Sequence, residues 1–125
     1  MSDRYAETEL ARELGEKLKT GGVLLATAES CTGGGIASLL TEIPGSSEWF
    51  AGALVTYSND WKKQLLGVQQ ATLTAHGAVS QQTVSEMLDG LLGRYAVQAG
   101  LAVSGIAGPG GAVLGKPVGT VFVGA

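Results

Sequence analysis

Apolar positions change period along the chain, and the changes divide it into elements. Over residues 5–20, Leu10, Leu14 and Leu18 recur at every fourth position with charge between them, which predicts an amphipathic helix ended by Gly21 and Gly22. Val23 to Ala28 is a short apolar run bounded by glycine and by Glu29, and it predicts a buried strand. A turn, Glu29 to Gly35, leads into a helical stretch from Ile36 to Leu40 that lasts until Pro44-Gly45. Residues 50–57 predict a second strand. Ser58 or Asn59 caps a helix over 60–66, ended by Gly67, and 69–76 form a short helical turn closed by Gly77. Ser80 caps a longer helix with Val84, Leu88, Leu91, Leu92 and Tyr95 on one face. A third strand over 100–104, a Gly/Pro-rich loop over 105–117 and a fourth strand over 118–125 complete the chain. The alternation predicts an α/β fold, a three-layer α/β/α sandwich around a mixed, mostly parallel sheet. Such a fold ordinarily covers its last buried strand with a helix, so a closing segment is expected to be missing here.

Composition narrows the partners. The 125 residues fit one domain. Eight Lys and Arg against 11 Asp and Glu give a net charge of −3, which argues against nucleic acid or an anionic membrane as partner. Charged residues are only 15% of the chain, against about 25% in ordinary soluble domains, while apolar residues are 45%, enough for a core. One Cys and one His permit neither an internal disulfide nor a clustered zinc site, so no metal is expected. No run approaches the roughly 18 apolar residues of a membrane span. The charged N-terminus lacks the apolar region of a signal peptide, so the expected location is the cytoplasm.

The 20 glycines are unevenly placed. They gather after the first strand, at Gly33, Gly34 and Gly35, and after the third, at Gly105, Gly108, Gly110 and Gly111. In open α/β sheets ligands bind at the C-terminal strand edge, and glycine lets backbone N–H groups approach an anion, so a phosphate or carboxylate site is expected there. Hydroxyls cluster in the same turns: Ser30 and Thr32 at the first strand-to-helix turn, Ser46 and Ser47 after Pro44-Gly45, Ser104 at the end of the third strand. A serine nucleophile needs a base. The single histidine, His76, precedes Gly77 at a helix end and fits a cap better than a catalyst. A desolvated lysine can substitute, and the candidates are Lys62 and Lys63; neighbouring helical residues point about 100° apart, so at most one faces the site. Tyr57 ends the same strand and is placed to donate a hydrogen bond into that edge. Cys31, at a helix N-terminus, is a rival nucleophile. Glu29 fits a base, an orienting group, or an ion-pair partner for Lys62.

Taken together, Ala28-Glu29-Ser30-Cys31-Thr32-Gly33-Gly34, Pro44-Gly45-Ser46-Ser47, Val55-Thr56-Tyr57-Ser58-Asn59, Leu66-Gly67-Val68, Gly77-Ala78-Val79-Ser80, Ser104 to Gly111 and Lys116-Pro117-Val118-Gly119-Thr120-Val121 resemble the signature blocks of the CinA C-terminal domain family, in the same order. The resemblance implies hydrolysis of the carboxamide of nicotinamide mononucleotide to nicotinic acid mononucleotide and ammonia, a step in pyridine nucleotide recycling, by a Ser/Lys mechanism without metal or organic cofactor. It implies Lys62, rather than Lys63, as the base, and either Ser30 or Ser47 as the nucleophile. Tyr57 matches a family active-site position. Ser104 does too, where many relatives carry threonine. The substrate would be a small-molecule nucleotide, held by Thr32, Gly33, Gly34, Ser46, Ser104, Gly105, Gly108, Gly110 and Gly111. It further implies a single domain over 1–125 that lacks the family's usual C-terminal strand and helix. An exposed final strand invites pairing between copies, a homo-oligomer. The alternative reading is a catalytically weak nucleotide-binding or competence- and damage-associated regulatory module.

Overall fold

The computed structural model describes residues 3–125. The elements run α1 (Asp3–Gly21), β1 (Leu25–Glu29), α2 (Gly35–Thr41), a 3-10 turn (Ser46–Glu48), β2 (Phe50–Val55), α3 (Asn59–Leu66), α4 (Gln70–His76), α5 (Gln81–Arg94), β3 (Ala99–Gly105) and β4 (Val121–Gly124). The sheet order is β2-β1-β3-β4; β1 pairs parallel with both β2 and β3, and β4 runs antiparallel to β3. None of the described helices is long and apolar enough to cross a membrane.

Every residue of β1 is buried, because helices cover both faces of the central strand. On one face Ala26 and Ala28 of β1 and Ala102 of β3 pack with Leu66 and Val68 around α3, Leu73 of α4, and Val84, Met87 and Leu91 of α5. On the other face Leu25 packs with Ala11 and Leu18 of α1, Leu40 of α2, Ile43 and Trp49. The two clusters are the two interfaces of the three-layer sandwich that the alternation of elements predicts.

Several details differ from the sequence expectation. Leu10 is 68% exposed, whereas Ala11 and Leu18 are buried. Four-residue spacing drifts about 40° per step on a 3.6-residue helix, so the buried stripe of α1 passes through Ala11, Leu14, Gly15 and Leu18 and leaves Leu10 outside. On α5 the core positions are Thr83, Val84, Met87 and Leu91, while Leu92 and Tyr95 lie at the rim. Strand β1 takes in Glu29, β2 stops at Val55 short of Tyr57, and β4 begins at Val121, after a turn in which the Gly119 N–H donates to the Ile106 carbonyl.

Gly90 fixes the distance between α5 and α3. A Cβ there would lie 1.7 Å from the Leu66 carbonyl oxygen. Alanine in place of glycine inside a helix ordinarily stabilises by about 1 kcal/mol, but a clash with backbone cannot be relieved by a rotamer change. Gly90→Ala is therefore expected to destabilise by about 3 kcal/mol, read as a lowered denaturation midpoint. Because α3 must move to relieve the clash, the Lys62 side chain it carries should lose its place as well.

Candidate active site

The parallel register assembles the site. Ala28 of β1 stands opposite Leu54 of β2 and Ala102 of β3. Two residues further on, Thr56, Ser30 and Ser104 therefore form one row across the C-terminal edge. They share the face covered by α3 and α5. The ladder continues into the row, with Thr56 N donating to Glu29 O at 2.8 Å and Ser30 N donating to Val103 O at 3.1 Å. All three residues are buried.

Helix α3 supplies the cation. The Ser58 hydroxyl caps it by accepting from Trp61 N at 3.1 Å. The next position, Lys62, faces the sheet and is 1% exposed. Its Nζ donates to Thr56 O at 2.9 Å and Tyr57 O at 3.0 Å, and lies 3.0 Å from Ser30 Oγ. The two carbonyls can only accept. In the neutral amine both N–H groups go to them, which leaves the lone pair directed at the Ser30 hydroxyl proton. Burial pushes the Lys62 amine below the ordinary lysine range, with the neighbouring Cys31 side chain acting in the opposite sense. Among the described residues no carboxylate forms an ion pair with it. Lys63 points away, and its Nζ donates to Gln70 Oε1 at 2.9 Å.

Glu29 does not pair with Lys62. Its side chain lies on the opposite face, fully buried, and clamps the turn that carries Ser30. It accepts from the hydroxyls of Thr27 and Thr32 and from the N–H groups of Gly34, Ile36 and Ala37, at 2.7 to 3.1 Å. Burial alone would raise its pKa; the donors outweigh burial, and the net displacement is downward. A depressed carboxyl contributes stability that is present above its unfolded value and is lost as pH falls through the folded one. Glu29→Gln should cost about 3 kcal/mol, since an amide replaces acceptor lone pairs with donors facing donors. The loss should be largest near neutral pH and shrink in acid, where the wild-type carboxyl also protonates. Urea denaturation at pH 7 and pH 4 measures both.

This clamp takes up donors of the first glycine turn. The Thr32 hydroxyl and the Gly34 N–H are taken by Glu29, and the Gly33 N–H donates to Ser30 O at 3.1 Å. Glu29 thus fills the helix N-terminus as an internal anion, and these groups have no free donor for substrate. The N–H groups of Cys31 and Thr32, just after Ser30, are the ones left without an acceptor among the described residues.

Ser46 and Ser47 are also placed elsewhere. They form the 3-10 turn immediately before β2, at the N-terminal edge of the sheet. Strand β2 then runs six residues to the opposite edge, roughly 20 Å at 3.3 Å per residue. In this fold neither serine meets Ser30 or Lys62. The Tyr57 ring is 71% exposed and its hydroxyl makes no hydrogen bond among the described residues; the group it contributes is its carbonyl. The second glycine loop does reach the edge. Gly105 admits a close approach, since a Cβ would lie 2.8 Å from Val121 Cγ2 and 3.0 Å from Cys31 Sγ. Beyond it, Gly108 and Gly111 adopt positive φ, a Cβ on Gly110 would stand in open space, and the N–H groups of residues 107, 108, 110 and 111 have no acceptor among the described residues. Lys116 Nζ donates to His76 O at 2.6 Å and ties this loop to α4, which leaves His76 as an anchor at a helix end. Sequence reasoning passed over Thr56, although it stands inside the Val55 to Asn59 block.

The family model for the CinA C-terminal domain matches residues 7–125. A CinA-like protein of Chloroherpeton thalassium is 52% identical over 122 residues, 96% of this chain and 29% of its own length. The nicotinamide-nucleotide amidohydrolase PncC of Escherichia coli (strain K12) is 48% identical over 114 residues, 91% of this chain and 69% of its own. The crystal structure of the competence/damage inducible protein CihA from Agrobacterium tumefaciens superposes with a TM-score of 0.91 at 50% identity, covering 94% of this chain and 71% of that one. The chain thus spans less than a third of the CinA-like relative.

Proposed function

Because the chain belongs to the CinA C-terminal domain family, we propose that it hydrolyses the carboxamide of a nicotinamide nucleotide, with Ser30 as nucleophile and Lys62 as general base. The observation that carries this reading is the Lys62 Nζ held 3.0 Å from Ser30 Oγ by two carbonyls. The name of the E. coli relative supports the substrate class.

Neutral Lys62 takes the Ser30 proton as Oγ attacks the carboxamide carbon. The carbonyl oxygen becomes an oxyanion, and the N–H groups of Cys31 and Thr32 face it; each such donor contributes about 3 kcal/mol in comparable sites. Lys62 passes its proton to the leaving nitrogen, and ammonia departs. Water, deprotonated by the same amine, then hydrolyses the acyl-enzyme. The substrate phosphate rests on the unpaired N–H groups of loop 107–111, with Ser104 lining the floor beside Ser30.

Incubating the chain with nicotinamide mononucleotide and quenching the reaction tests this. The expected result is ammonia release and a nicotinoyl-nucleotide adduct on the peptide containing Ser30. An adduct on the Ser47 peptide, or turnover with no adduct, overturns the assignment. Nucleotide binding without ammonia release favours the regulatory-module reading.

A further inference from the structure

Two of the sequence blocks, Gly77 to Ser80 and Lys116 to Val121, have no part in the chemistry above, yet they meet in space. Lys116 Nζ donates to His76 O at 2.6 Å and lies 3.6 Å from where a Cβ on Gly77 would stand. Around this contact is a groove of about 490 Å³, lined by His76, Ser80, Gln81, Gln82, Lys116 and Phe122. No carboxylate lines it, and among the described residues Lys116 has no ion-pair partner. One N–H of its ammonium goes to the His76 carbonyl; the other two have no acceptor among the described residues. A half-buried ammonium held only by a carbonyl keeps its charge for an anion from outside.

Strand register sets this groove beside the catalytic row. Phe122 stands opposite Ser104 in the antiparallel ladder and packs on the face covered by α5. It therefore extends the row of Thr56, Ser30 and Ser104 by one strand. Two strand spacings of about 4.8 Å separate it from Ser30, about 10 Å in all. A ribosyl phosphate hung from a pyridine ring reaches about that far from the carboxamide. The unpaired N–H groups of residues 107–111 belong to the same loop as Lys116, but an N–H carries only a partial charge, whereas a phosphate carries nearly two. The other cations are committed elsewhere. Lys62 is at Ser30, Lys63 donates to Gln70, and Arg94 donates to Gln64 O. Arg4, Arg12, Lys17 and Lys19 stand on α1, across the sheet.

We propose that Lys116 receives the phosphate of the substrate and so makes the site selective for a nicotinamide nucleotide over the corresponding nucleoside. The proposal rests on the amidohydrolase reading above. The ammonium keeps one N–H on His76 O, which holds the glycine loop to α4, and gives the other two to phosphate oxygens. The carboxamide then lies at Ser30 and the phosphate at the β4 end of the same row. No bond is made or broken at Lys116.

The test compares a phosphorylated and an unphosphorylated ligand in the full chain and in Lys116→Met, Lys116→Gln and Lys116→Arg. Calorimetric titration uses nicotinic acid mononucleotide and nicotinic acid riboside, which have no amide to hydrolyse; ammonia release uses the two matching carboxamides. Lys116→Met should weaken mononucleotide binding about 30-fold and leave riboside binding within about twofold. In ammonia release the loss on the mononucleotide should fall on KM, with kcat within about threefold. Lys116→Arg keeps the charge and should stay within about threefold on every measure. If Lys116→Met does not fold, Lys116→Gln carries the same comparison. Equal weakening of both ligands makes Lys116 a loop tether alone and overturns the proposal, as does unchanged mononucleotide binding. Absence of ammonia release from the unsubstituted chain overturns the amidohydrolase reading, while the ratio of mononucleotide to riboside binding still decides the role of Lys116.

Discussion

Lys62→Met is expected to lower kcat/KM for amide hydrolysis by about 10³-fold or more, while Lys63→Ala stays within about threefold. The contrast rests on one helical step. Lys62 points at Ser30 from a buried position, and Lys63 pairs with Gln70 at the surface. Methionine keeps most of the buried stem, so the variant should fold, although the Thr56 and Tyr57 carbonyls lose their donor. The pH dependence follows from burial. With its pKa lowered, Lys62 delivers a neutral base below the ordinary lysine range, and the rate falls as pH drops through that lowered value. Stability carries the same signature. Between the folded pKa and about 10.4 the unfolded chain binds more protons than the folded one, so stability rises with pH, and Lys62→Met should flatten that rise in denaturant titrations. Equal losses for the two lysines would overturn the assignment.

Ser30→Ala should abolish acyl-enzyme formation and reduce turnover by about 10³-fold or more, whereas Ser47→Ala should leave turnover within about threefold. Ser30 stands in the row with Thr56 and Ser104 and faces the lysine. Ser47 is exposed, a full strand length away at the other edge of the sheet. Quenched-flow mass spectrometry and steady-state ammonia release measure the two effects. A Ser47→Ala variant as inactive as Ser30→Ala would require a second contribution to the site that these distances do not provide.

The elements were readable from the chain because each depends on residues close together in sequence. Ser58 and Ser80 cap the helices that follow them, Gly67 ends one in a left-handed conformation, and the apolar run before Glu29 is a strand buried on both sides. The concentration of glycine and hydroxyls at the C-terminal strand edges marked that edge as the candidate site, since parallel strands separated by helices bring those turns together. Pattern also allowed at most one of the candidate bases Lys62 and Lys63 to face that edge, because adjacent helical positions diverge.

Contacts between distant segments decide which of these groups meet. Ser30 and Lys62 are 32 residues apart, and their meeting depends on the β1–β2 register and on the packing of α3 against α5 at Gly90. Ser46 and Ser47 resemble site residues locally, yet the parallel direction of β2 sends them to the far edge. The first glycine turn looks like an anion cradle in sequence, but only the folded chain shows Glu29 already occupying it. Local propensity specifies what each segment becomes; strand register and helix packing, which join residues far apart in the chain, specify which donors are left free and which hydroxyl meets the amine.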